Sequence, residues 1–337
     1  VLFVTGAIFS RKTFRVILVN LSLILFVFAG FEFSLSIMRP PYQTIASTRF
    51  ENELYNRKSR LVGYEMEGNQ QVTTRKYFDD KLVYEAQYTV GDNRFRITPQ
   101  ASEHAESSVI FVGCSFTFGE GLNDSETLPY QVGVRVKDQY QIYNFGVRGY
   151  GTHQIYAQTK HYLLQRHIQQ PVKHIIYSSL YPEHARRAAG LGWWQLDSPR
   201  YKLSKNNQLE FCGNFGSSSF LSHVIMQNLY KSEIVSRIAQ RKLSKRDKML
   251  NSKLIIGIYE LMQRDNPDAQ MHILQWFEPY EPFVSNHLKD NGIKIHALNK
   301  VFDSVDNDIF ISEKEYHPNK RVNTAIADYI ITEILAL

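Results

Sequence analysis

The sequence predicts a three-layer α/β protein with a doubly wound parallel sheet, preceded by one membrane-spanning helix. Three observations carry that expectation. Short apolar runs (109–113, 141–147, 174–181, 271–277 and 292–298) alternate with segments of helical spacing, the rhythm that builds a parallel sheet covered on both faces. The first run, Val109 to Gly113, ends in glycine and is followed by Ser115, at the strand end where open α/β sheets place their chemistry. The third is an isolated apolar stretch near the N-terminus, Val16 to Ile37.

That stretch exceeds the roughly 20 residues needed to span a bilayer and is interrupted by Asn20, Glu32 and scattered serines. Arg11, Lys12 and Arg15 precede it, so residues 1–15 are expected in the cytoplasm, 16–38 in the membrane, and the rest outside. A cleaved signal peptide is the rival reading, but no A-x-A site follows the apolar core. Arg39-Pro40-Pro41 ends the helix and opens a juxtamembrane extension over 39–105. Within it, LVYEAQYTV, the turn residues Gly91-Asp92-Asn93 and RFRIT predict a β-hairpin. Residues 106–337 form the α/β domain, with a cap inserted at about 185–263 that contains Trp193-Trp194 and a hairpin turning at Lys205-Asn206-Asn207. The last segment, with apolar residues at Val322, Ile326, Tyr329 and Ile330, has helical spacing and is expected to cover the sheet.

Composition narrows the function classes. A hydrophobic fraction of 43% with 21% charged residues excludes a disordered chain. The net charge is +6, and its one basic concentration, Lys231 to Lys253, reads as a solvated helix face, so no nucleic-acid partner is expected. Two cysteines, Cys114 and Cys212, make neither a disulfide framework nor a metal site. His153, His161, His167 and His174 lack ligand spacing and partnering acids and read as solvated or capping residues. The glycines at 146, 149 and 151 are spaced GxxGxG, not GxGxxG, and no GK[ST] follows Gly121. Neither metal nor cofactor is expected.

Taken alone, Ser115 is either a turn cap or a nucleophile. A nucleophilic serine needs a base, and His317, in SEKEYHPNK just before the last helix, stands at the same edge of the expected sheet. The set GCSFTFGEG, NFGVRGYG and EYHPN, in this order along the βα rhythm, resembles the SGNH (GDSL-like) hydrolase family over residues 107–337. The resemblance implies a flavodoxin-like three-layer fold and an esterase or acyltransferase acting through Ser115 and His317. It also implies an oxyanion hole from the backbone N–H groups of Ser115 and Gly149. Three departures stand out. Cys114 replaces the family's aspartate, Lys314 stands where an acid precedes the histidine, and YPEHARR lacks the third-block asparagine. Glu315 is the preferred orienting acid, with Glu313 the alternative, and His184 the only candidate for a third oxyanion donor. The expected substrate is an acylated carbohydrate or lipid-linked ester of the cell envelope. A catalytically inactive glycan-binding protein on the same fold is the rival from another class.

Overall fold

Strand β6 (Ser107–Gly113) organises the molecule, because it is buried along its length and its side chains feed two separate cores. In the computed structural model, which describes residues 11–37, 48–191, 196–216 and 242–337, Ile110 and Val112 join one apolar cluster while Val109 and Phe111 join the other. A strand that reads as a continuous apolar run, with successive side chains on opposite faces, forces this sandwiching.

The chain divides into two units. One is described through helix α1 (Arg11–Ile37), whose segment Thr13–Leu35 is long and apolar enough to cross a membrane and contains no buried residue.

The second unit begins with β1 (Thr48–Glu51), the short pair β2 (Asn56–Ser59) and β3 (Gly63–Met66), and then a long hairpin, β4 (Gln70–Phe78) and β5 (Lys81–Val90). Asp79 and Asp80 make its turn, both at positive φ (48° and 57°), the conformation a two-residue hairpin loop requires. The expected hairpin at Gly91-Asp92-Asn93 is present but short: Gly91 N–H donates to the Phe95 carbonyl at 3.0 Å, Ile97 N–H to the Thr89 carbonyl at 3.1 Å, and one bridge pairs Val90 with Arg96, which also bridges to Asn144. Alternation along β5 buries Tyr84, Ala86 and Tyr88, while β4 pairs along its length.

After β6 come α2 (Ser115–Phe118), α3 (Leu128–Val136), β7 (Tyr140–Gly146), α4 (Thr152–Lys160), β8 (Val172–Ser179) and α5 (Glu183–Ala188). A second hairpin, β9 (Pro199–Leu203) with β10 (Leu209–Asn214), turns where expected, with Asn207 at φ 55°. Trp193, Trp194 and residues 217–241, including much of the basic segment, lie outside the described residues. Then follow α6 (Lys245–Asp265), β11 (Gln270–Gln275), α7 (Pro282–Lys289), β12 (Lys294–Ala297), α8 (Asn299–Asp303), the pair β13 (Phe310–Ser312) and β14 (Glu315–Pro318), and α9 (Lys320–Tyr329).

The sheet is parallel in the order β12-β11-β8-β6-β7. Counted by position in the domain this is 2-1-3-4-5, the flavodoxin-like order of doubly wound folds. Residues of α4, α5, α6 and α7, together with the β4–β5 hairpin, pack on one face, and residues of α3, α8 and α9 on the other. The three-layer α/β class expected from the sequence is the one found.

Candidate active site

Ser115 stands directly after β6, as the first residue of the single-turn helix α2. Three glycines let that turn sit against the sheet edge. A side chain on Gly113 would meet the Thr117 hydroxyl. One on Gly146, the register partner of Gly113 on β7, would meet the backbone N of Phe118 and the Thr117 carbonyl carbon, the latter at 2.7 Å. Gly119 ends the turn in the left-handed region (φ 84°), its N–H bonded to the Ser115 carbonyl at 2.8 Å.

The loop that follows is pinned from outside the α/β domain. Arg96, 2% exposed, donates to the carbonyls of Phe118 (3.0 Å), Gly119 (2.6 Å) and Gln87 (3.0 Å) and to Asp124 Oδ1 (2.9 Å), with Tyr88 and Phe118 rings 4.6 and 4.8 Å from its guanidinium. A buried guanidinium satisfied on several sides fixes the geometry of everything it bonds.

His317 lies on β14. Residues two apart on a strand share a face, so Glu315 and His317 point together while Tyr316 between them is 65% exposed. His317 Nε2 lies 2.8 Å from Ser115 Oγ, and its Nδ1 bonds Glu315 Oε1. Lys76, from β4, bonds the other carboxylate oxygen of Glu315. Burial pushes the Glu315 carboxyl up, but its bonds to His317 and Lys76 outweigh that and hold it below the usual range. Glu313, the alternative acid, plays no part in these contacts.

A second carboxylate flanks the base. Glu120 Oε2 is 3.5 Å from His317 Nε2, on the side where Ser115 also bonds. Burial pulls the His317 pKa down, and Glu120 and Glu315 raise it by more, so the imidazole titrates above its ordinary value. Arg148, on the turn after β7, faces Glu120 electrostatically. Sequence reading passed over Glu120 although it lies in the GEG of the first block. The left-handed Gly119 folds residue 120 back, with the Glu120 N–H on the Ser115 carbonyl at 3.0 Å, a turn that no local periodicity announces.

Ser115, His317 and Glu315 line a cavity of about 520 Å³ with Lys76, Glu183, Arg187, Glu278 and Lys314 among its polar walls and Phe116, Phe277 and Tyr316 among its apolar ones. Such a recess, mostly apolar with a few convergent polar groups, is the usual form of a small-molecule site.

No family model matches the sequence, nor does any curated protein. Solved structures similar to the chain include esterases and lipolytic proteins. A lipolytic G-D-S-L family protein from Veillonella parvula is 12% identical over 68% of this chain and all of its own, with a TM-score of 0.40. A lipase from a goat rumen metagenome is 14% identical over 67% and 96%, TM-score 0.38. An acetyl xylan esterase from the rumen bacterium Butyrivibrio proteoclasticus is 11% identical over 81% and 72%, TM-score 0.38. The fold is therefore read from this chain's own strand order, and the site from its own contacts.

The remaining site expectations fare differently. Gly149 lies in the turn after β7 with φ 77°, three residues past the strand end that pairs with Gly113. His184 is entirely buried, stacked on Tyr177 and bonded through Nδ1 to the Tyr177 hydroxyl at 2.6 Å; burial drives its pKa far down, and it is not among the residues lining the Ser115 cavity. Cys114 is buried among apolar residues and Cys212 is exposed, both unpaired with each other. His174 is corrected: it is buried, not solvated.

Proposed function

We propose that the chain is a serine esterase of the SGNH type that cleaves an acyl ester through Ser115, His317 and Glu315. One observation carries this reading: the continuous bonded series from Ser115 Oγ through both imidazole nitrogens to a buried carboxylate, opening on a cavity at the carboxyl edge of β6. His317 takes the Ser115 proton as Oγ attacks the ester carbonyl, and Glu315 holds the ring and stabilises the imidazolium. The backbone N–H groups of Ser115 and Gly149 are proposed as donors to the oxyanion, each worth about 10²–10³ in rate. His317 then protonates the departing alcohol. A water, activated by the same imidazole, releases the acyl group from Ser115.

The proposed substrate is an O-acylated carbohydrate or glycolipid of the cell envelope. Exposed aromatic rings at the cavity, Phe277 (41%) and Tyr316 (65%), suit a sugar face. Helix α1 is proposed as a membrane anchor with its N-terminus in the cytoplasm and the catalytic unit outside. Transfer of the acyl group to another sugar hydroxyl uses the same residues and differs in which hydroxyl reaches the acyl-serine.

The test is labelling of the detergent-solubilised full chain with a fluorophosphonate. Ser115 takes the label, and Ser115→Ala abolishes both labelling and hydrolysis of short aryl esters. An unlabelled wild type beside a reactive control esterase rules the reading out in favour of the inactive binding protein. Adding a sugar acceptor then separates hydrolysis from transfer by the fate of the acyl group. A reporter fused after Leu337 is active outside the cytoplasm if the anchor is oriented as proposed.

A further inference from the structure

Glu315 is 2% exposed, and its two oxygens are divided between elements from opposite ends of the chain. One accepts from His317 on its own strand. The other accepts from Lys76, which precedes it by 239 residues on the β4–β5 hairpin, outside the parallel sheet. β14 belongs only to the short pair it makes with β13, so the large sheet does not itself clamp the acid. Lys76 stands at the register shift between Lys76 and Tyr77, a bulge of the kind that re-aims a side chain, and its ammonium lies 5.3 Å from the centre of the Phe50 ring.

Resting on the esterase reading above, we propose that Lys76 is a positioning residue of the Ser115–His317–Glu315 site, and that the N-terminal hairpin is thereby part of the catalytic apparatus. The chemistry is direct. A carboxylate held at both oxygens cannot swing about its last torsion, so the lone pair offered to His317 Nδ1 stays fixed. The ammonium also competes with the imidazolium for the same negative charge, which restrains the proton affinity of His317. Glu120, Glu315 and Lys76 are the charged groups that act on the ring.

The test is Lys76→Met beside Lys76→Arg, with Lys81→Met at the exposed hairpin tip as control. In Lys76→Met, kcat falls about tenfold with KM little changed, and the His317 titration followed by proton NMR moves up by about one pH unit. The downfield resonance of the His317 Nδ1 proton, bonded to carboxylate in the wild type, broadens or is lost. Lys76→Arg restores all three, and Lys81→Met leaves them as in the wild type. In a Glu315→Gln background, Lys76→Met has little further effect on kcat. An unchanged titration and Nδ1 proton in a folded Lys76→Met variant overturns the proposal. So does an effect confined to KM, or one that persists undiminished in Glu315→Gln, either of which makes Lys76 a substrate contact. Should Lys76→Met not fold, Lys76→Gln is read by the same titration. Because the NMR signals need no turnover, an inactive wild type sinks the esterase reading while the coupling of Lys76 to His317 is still measured.

Discussion

His317 is held between two carboxylates that act on different nitrogens, and this shapes how the site should respond to pH. Glu315 fixes Nδ1, whereas Glu120 lies 3.5 Å from Nε2, the nitrogen that must be unprotonated to accept from Ser115. Since the folded pKa is raised, kcat/KM should climb with pH through an inflection above the ordinary histidine value of about 6.5. Glu120→Gln removes a charge that favours the imidazolium, so the inflection moves to lower pH and activity survives further into acid. A pH–rate profile of the two proteins checks this, and an inflection that stays put or rises in the variant contradicts it. Glu315 was preferred in the sequence only through the family resemblance, which places an acid two residues before the histidine; that this segment is a strand, with both side chains on one face, came from the structure. Glu120 was not legible in the sequence, because its approach depends on the tight turn at Gly119.

At the level of elements, the close approach of α2 to β7 is what presents Ser115, and Gly146 is its tightest point. Gly146→Ala drives a methyl into the backbone of Thr117 and Phe118, which cannot retreat without displacing Ser115. A loss of about 1–3 kcal/mol in urea unfolding is expected, with a larger proportional fall in kcat than in stability. The second support is Arg96. Arg96→Met leaves the carbonyls of Phe118 and Gly119 and the Asp124 carboxylate without their cation, at a cost of about 3–5 kcal/mol. A melting temperature near that of the wild type would show that the loop holds without it. Sequence reading saw the short turn at Gly-Asp-Asn, behind Arg96, but not the longer hairpin turning at Asp79-Asp80, whose β4 strand carries Lys76.

Across the whole molecule, the sheet carries a ladder of imidazoles at the edge remote from Ser115. His174 on β8 bonds His272 on β11 (3.2 Å), His272 bonds His296 on β12 (3.0 Å), and His296 bonds the Tyr329 hydroxyl (3.0 Å). Burial lowers His174 to about 4 and His272 to about 3, with Lys173 and Lys294 adding to the effect. Both groups are neutral when folded and protonate readily when unfolded, so the unfolded chain binds more protons below about pH 6.5. Stability should therefore fall with pH from about 6.5 toward 4, with up to one proton taken up per histidine on unfolding. Urea midpoints measured across that window check the slope, and His272→Gln should flatten it. A wild-type midpoint constant over the window would contradict the ladder's burial.

The order of strands and helices and the position of Ser115 at a strand end follow from local periodicity. Repeats of two and 3.6 residues survive in any window of the chain, whatever surrounds it. Tertiary structure alone decided that Lys76 reaches Glu315, that Glu120 approaches the base, that His184 is sealed in the core and that three histidines bond across neighbouring strands. Those contacts join segments up to 239 residues apart, and what brings them together is the packing of whole faces, to which no single stretch of sequence holds the key.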